Sequence, residues 1–123
     1  MEAVFRGEDC PHLTTGQSYT VLAVEGTHLR VIDDGGAPSL FATLGWEIVP
    51  QEVAQPWVLS LEDEDLCLGP KPFMEPGFFE DVFDGVRPSC ERFLSVASRT
   101  CTPSELARFQ SWFDGKVARM SVP

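Results

Sequence analysis

Short runs of β-branched and aromatic residues, broken by Gly and Asp, fill the first fifty positions: SYTVLAVEG at 18–26, THLRVIDDGG at 27–36 and LFATLGWEIVP at 40–50. Runs of this kind read as strands. In YTVLAV the side chains at 19, 21 and 23 interleave with those at 20, 22 and 24. In HLRVID the polar Arg30 between Leu29 and Val31 predicts one face turned to water. Glu25-Gly26-Thr27 predicts a tight hairpin, and Asp34-Gly35-Gly36 a second, because Gly accepts positive φ without penalty. MEAVF at 1–5 predicts a further strand, separated from Tyr19 by an irregular loop containing CPHLTTG. Pro50 is a natural terminator. Four or five short strands in fifty residues predict a small antiparallel barrel-like sheet.

Beyond residue 56 the period changes. WVLSL predicts one more strand at 57–61, followed by the acids Glu62, Asp63, Glu64 and Asp65 and by a stiff, non-helical connection, LGPKPFMEPG, held by Pro70, Pro72 and Pro76. Phe78, Phe79, Val82 and Phe83 then fall at helical spacing, with Gly85 placed to end the helix. Pro88 opens a second helix carrying Phe93, Leu94, Val96 and Ala97. Thr102-Pro103-Ser104-Glu105 spells a capping box, and Leu106, Phe109, Trp112, Phe113, Val117 and Met120 follow as one buried face, which Asp114-Gly115 is expected to interrupt. The expected fold is α+β. A small antiparallel β-barrel-like sheet is followed by two or three helices packed on it, in a single domain (1–123) with a β lobe at 1–68 and a helical lobe at 74–123.

The segments LTTGQSYTVLAVEG, LRVIDDGGAPSLF and WEIV together resemble the small Src-homology-type β-barrel of bacterial and phage proteins. There a Leu-Thr-x-Gly-x-x-Tyr-x-Val strand entry leads to an Asp-Asp-x-Gly hairpin and a closing strand. The resemblance covers the N-terminal part of the chain. It implies a barrel like those found in immunity proteins of bacterial toxin systems, in phage-encoded small proteins and in regulators.

Charge adds what periodicity does not. The 123 residues carry 19 Asp and Glu against 9 Lys and Arg, a net charge of -10. Residues 1–70 hold 12 of the acids and only two bases, Arg6 and Arg30, whereas residues 71–123 hold 7 of each. Between Arg30 and Lys71 no Lys or Arg occurs. Such a chain repels a polyanion and an anionic membrane, so neither direct nucleic-acid binding nor membrane binding is expected. With 43% hydrophobic residues it has the material for a folded core. The N-terminal segment lacks the basic and greasy regions of a signal peptide, which predicts a cytoplasmic protein with its four cysteines (Cys10, Cys67, Cys90, Cys101) reduced.

Catalytic chemistry is sparsely represented. Neither GxGxxG nor GxxxxGK occurs. Cys10 and His12 form the one close pair of metal-ligand types, and neither a metal nor another cofactor is expected. The acids 62–65 lack the alternation and central Gly of a calcium loop. What remains is recognition: an acidic surface that meets a basic protein partner, with Asp33, Asp34, Glu62, Asp63, Glu64 and Asp65 as contact residues and no catalytic residues. Trp46 and Trp57 are candidate anchors beside the acids, with core placement as the alternative. The leading expectation is a non-enzymatic, immunity-type inhibitor that occludes the basic active site of a toxin effector. Its alternatives are a phage-encoded acidic inhibitor that mimics nucleic acid against a nuclease or a CRISPR surveillance complex, a small hydrolase using His12 or His28 with a carboxylate, and a structural or regulatory adaptor.

Overall fold

The computed structural model describes residues 1–49, 51, 55–62 and 64–120. Among these residues, strands β1 (Glu2–Phe5), β2 (Ser18–Thr20), β3 (Ala23–Glu25), β4 (His28–Ile32), β5 (Pro38–Ala42), β6 (Trp46–Val49), β7 (Trp57–Glu62) and β8 (Asp65–Pro70) precede a 3-10 turn at Lys71–Met74. Helices α1 (Phe78–Phe83), α2 (Arg87–Ala97) and α3 (Pro103–Met120) follow. Pro50, read above as a terminator, lies outside the described residues.

The fold is α+β, but the strands do not close into a barrel. They form two antiparallel sheets, one of three strands in the order β2-β1-β6 and one of five in the order β5-β4-β3-β8-β7. The reason lies at Val21 and Leu22, where the run read as a single strand is cut. The Val21 amide donates to the Met1 carbonyl (2.8 Å) in the small sheet, and the next amide, Leu22, donates to the Arg30 carbonyl (2.8 Å) in the large one. One continuous run of β-formers therefore serves two sheets.

The same two positions separate two apolar clusters. Val21 and Val31 pack with Ala3, Phe5, Leu13, Tyr19 and Leu29 between the sheets. Their neighbours Leu22 and Ile32 pack with Phe73, Val82, Phe93 and Phe109 among the helices. Alternation along a strand sends successive side chains to opposite faces, so β4 is the wall between the clusters. Phe93 anchors the helical cluster, its ring 4.4 Å from Phe109 and 5.4 Å from Phe73.

Three further expectations change. Residues 68–70, read as the start of the connection LGPKPFMEPG, belong to strand β8, whose last residue is Pro70 and whose Cys67 and Gly69 are buried against the helical side. Helix α3 runs unbroken through Asp114-Gly115. Arg30, expected to face water, is 6% exposed. Its guanidinium pairs with Glu25 Oε2 at 2.7 Å, donates to the Pro38 carbonyl at 2.6 Å and lies 3.9 Å above the Phe79 ring. A buried Arg is retained because every face of its fork is occupied.

The capping box forms as expected, and more is attached to it. Thr102 Oγ1 accepts from the Glu105 amide and Glu105 Oε1 accepts from the Thr102 amide, at 3.1 and 2.9 Å. The same carboxylate accepts from the Thr20 amide (2.8 Å) and hydroxyl (2.7 Å), which fastens the start of α3 to β2.

Candidate functional site

Strands β7 and β8 form a hairpin whose last pair is Glu62 and Asp65. Glu64 occupies the turn with φ +71°, the left-handed region that a tight two-residue hairpin demands. Among the described residues it is the single non-glycine with positive φ. Both Glu64 and Asp65 are exposed. Asp63 lies outside the described residues.

The strand register puts the two groups of sequence-predicted acids far apart. Asp65 sits at the Gly26 end of the large sheet, where the Gly26 amide donates to the Leu66 carbonyl (2.8 Å). Asp33 and Asp34 follow Ile32 at the other end, and Ile32 pairs with Pro38. Five to six residues at about 3.3 Å each separate the ends. The described acids among the six are thus two groups, not one surface.

Asp33 is buried, 2% exposed, and its carboxylate is consumed by its own turn. Oδ1 accepts from the Gly35 and Ala37 amides at 2.9 and 3.1 Å, and Oδ2 accepts from the Ser39 hydroxyl at 2.9 Å. His12 Nδ1 approaches the same oxygen at 3.8 Å from the surface. Asp34 accepts from the Tyr19 and Thr14 hydroxyls, each at 2.7 Å, which ties the CPHLTTG loop to the β4–β5 turn. Burial, helped by the neighbouring Asp34 carboxylate, pushes the Tyr19 phenol up to about 12. Of this pair, Asp33 works inside the fold. Asp33→Ala strands two amides and a hydroxyl and is expected to lower the unfolding free energy by about 2 kcal/mol in urea titrations. Glu64→Ala, with an exposed side chain, is expected to change it by less than about 0.5 kcal/mol.

Beside the acidic turn the hairpin carries leucines that sequence reading passed over. Leu59 pairs with Leu68 and Leu61 with Leu66, so all four project from one face. They are 65%, 39%, 69% and 57% exposed, respectively. The signal was present as period-two spacing, Leu59 and Leu61 before the acids and Leu66 and Leu68 after them. The prolines downstream masked it by suggesting a loop. Trp46 and Trp57 are half-buried and pack on the cluster between the sheets, Trp46 with its ring 5.2 Å from Phe5 and 5.6 Å from Tyr19.

On the opposite, helix-bearing face, a cleft of about 580 Å³ opens between α1 and β4–β5. Leu40, Phe79 and Phe83 are among its lining residues together with Arg30, and so are the exposed carboxylates Glu80 and Asp84. Such a lining suits a side chain with an apolar stem and a cationic head.

Cys10, Cys90 and Cys101 are free thiols. Burial raises the pKa of Cys90, and burial with the nearby Glu105 charge pushes Cys101 up to about 12, so both stay protonated and unreactive near neutrality. Among the described residues no three His, Cys, Asp or Glu side chains converge as a metal centre would need, and no helix is long and apolar enough to cross a membrane. Compared with protein-family models, curated proteins and solved structures, the chain matches none.

Proposed function

We propose that this chain is a non-enzymatic binding protein that neutralises a basic protein partner, an immunity-type inhibitor that covers the active site of a bacterial toxin effector. The observation that carries this reading is the acidic turn of the β7–β8 hairpin, with Glu64 and Asp65 exposed at the tip of a segment free of Lys and Arg from residue 31 to 70. An anionic projection of this kind accelerates encounter with a cationic cleft and disfavours anionic competitors. The acid-bearing cleft beside α1 adds a second place for a partner's Lys or Arg. Asp34 contributes to the charge of the other end of the sheet, while Asp33 supports the turn that presents it.

The test reverses the charge of the turn. Glu64→Lys with Asp65→Lys is expected to keep the fold and to slow association with the proposed toxin partner at least tenfold at low salt, with the parent's salt dependence largely lost. Protection of toxin-expressing cells should fall accordingly. Undiminished protection by the double variant would reject the acidic contact. A hydrolytic activity abolished by His12→Ala would reject the non-enzymatic reading, since His12 stands beside the Asp33 carboxylate as an acid-base pair would.

A further inference from the structure

We propose that the pocket between the Pro70 end of the β7–β8 hairpin and the end of α2 binds a small organic carboxylate with an apolar body. The pocket has a volume of about 360 Å³, at the small end of the range for small-molecule sites, which favours a free molecule over a peptide. Val58 and Val96 line it together with Pro70 and Pro72. Val58 pairs with Gly69, and alternation along β7 sends it to the helix-bearing face, opposite Leu59 and Leu61. Proline has a fixed φ and no N–H, so this apolar wall is set before a ligand arrives.

The charge of the ligand follows from Lys71 and Arg99, which line the same pocket and are exposed. The chain has nine Lys and Arg against 19 acids, and most of the nine are engaged. Arg6, Arg30 and Arg92 pair with carboxylates, Arg108 donates to the Asp33 carbonyl, and Arg87 and Lys116 lie over the Phe113 and Trp112 rings. Arg119 stands apart in the last turn of α3. Among the described residues, the side chains of Lys71 and Arg99 meet no carboxylate, carbonyl or ring. Nor does α2 need them as caps. Its last carbonyls, Leu94, Ser95, Val96 and Ala97, accept from the Ser98 amide, the Ser98 hydroxyl, the Gln55 side chain and the Thr100 amide. Two unengaged cations beside an apolar wall are matched by an anionic head, with the Arg99 fork suited to a carboxylate's two oxygens and Lys71 acting as a point charge.

Gln55 adds a neutral donor. It lines the pocket, is 8% exposed and donates to the Val96 carbonyl at 3.2 Å. Its second amide hydrogen has no acceptor among the described residues, and a ligand oxygen supplies one. A head with a single charge is favoured over a phosphate or a dicarboxylate, since the net charge of -10 repels each added negative charge. The acidic turn does not cancel the site. Val58 precedes Glu62 by four strand residues, about 13 Å and more than one screening length at physiological salt. The pocket shares no lining residue with the cleft beside α1, and it stands whether or not the function proposed above is correct.

Titration of the full chain with phenylbutyrate, followed by amide and methyl chemical shifts, tests this directly. The acid is expected to shift the resonances of Val58, Val96 and the Gln55 side-chain amide with a dissociation constant of about 0.1–1 mM. The neutral amide of the same acid is expected to bind at least tenfold more weakly, and phenylbutylamine to leave these resonances in place. Lys71→Gln with Arg99→Gln, both at exposed positions, is expected to keep the parent's circular dichroism and to lose at least tenfold in affinity for the acid. Arg92→Gln, which removes an exposed cation paired with Glu75 outside the pocket, is expected to bind like the parent. A pocket whose resonances do not move up to about 10 mM acid overturns the proposal. So does an acid bound no more tightly than its amide, or a double variant that binds as the parent does. Tighter binding of an acetylated tetrapeptide with a free C-terminal carboxylate than of phenylbutyrate would overturn the small-molecule assignment and give the pocket to the terminus of another protein.

Discussion

Gly36→Ala is expected to lower the unfolding free energy by about 2–5 kcal/mol, although it adds one methyl group. Gly36 has φ +95°, where an L side chain is strained, and its Cβ position lies against the backbone of α3. An added Cβ would overlap the Arg108 carbonyl oxygen and sit 2.7 Å from its carbonyl carbon and 2.8 Å from Trp112 Cβ. Neither backbone can yield cheaply. Arg108 also donates from Nε to the Asp33 carbonyl at 3.2 Å, so a shift of the turn breaks the tie between α3 and the β4–β5 connection. Overpacking accounts for about 1–3 kcal/mol and the left-handed backbone for about 1–2 more. The neighbouring glycine is the control. At Gly35 an added Cβ meets only Asp33 Oδ1 at 3.4 Å, an ordinary contact, and Gly35→Ala should lose less than about 1 kcal/mol. Urea unfolding of both variants checks the pair, and equal losses would show that the turn and α3 are not packed as described.

Glu105→Ala is expected to lower stability by about 3 kcal/mol. The side chain is 3% exposed, and its two oxygens receive both Thr20 donors and the Thr102 amide. Removing it breaks the carboxylate half of the capping box, while the residue-105 amide keeps its bond to Thr102 Oγ1, and leaves donors of β2 and α3 without their acceptor, each costing about 1 kcal/mol or more. Glu105→Gln keeps the volume but turns an amide NH₂ toward one of these donors, and should lose roughly half as much. Native-state hydrogen exchange should locate the damage, with the Thr20 and Thr102 amides losing protection before those of α1. A loss below about 1 kcal/mol for the alanine variant would mean that water replaces the carboxylate and that it does not tie α3 to β2.

The two positions differ in how far they could be read beforehand. The capping role of Glu105 follows from Thr102-Pro103-Ser104-Glu105, because a cap is satisfied within four residues. Its bond to Thr20, 85 positions away, leaves no local trace. Asp34-Gly35-Gly36 announces a turn, but which glycine is indispensable depends on where α3 crosses it. Arg30 shows the same boundary in reverse. A polar residue between two apolar ones reads as exposed, and only the approach of Phe79 and Glu25 makes its burial tolerable.

For the candidate site, the acids were legible as a charge imbalance but their grouping was not. Composition assigns Asp33, Asp34 and residues 62–65 equally to the acidic half, whereas the register of β3, β4 and β8 sends Asp33 and Asp34 to one end of a sheet and Asp65 to the other. The leucine face was written in the spacing of residues 59, 61, 66 and 68, yet exposure cannot be read from alternation, since the same pattern also marks a buried face.

By itself, then, the sequence determined the local elements: most strands, all three helices, the turns and the cap, together with the one-sided charge. Each depends on periodicity or on hydrogen bonds a few residues long. Tertiary structure decided that the strands make two open sheets rather than a barrel, that Asp33 turns inward while Glu64 and Asp65 stay outside, and that four leucines remain uncovered. Strand pairing joins residues tens of positions apart, and the amide of Val21 or Leu22 is equally able to bond to either sheet. Packing of the whole chain makes that choice.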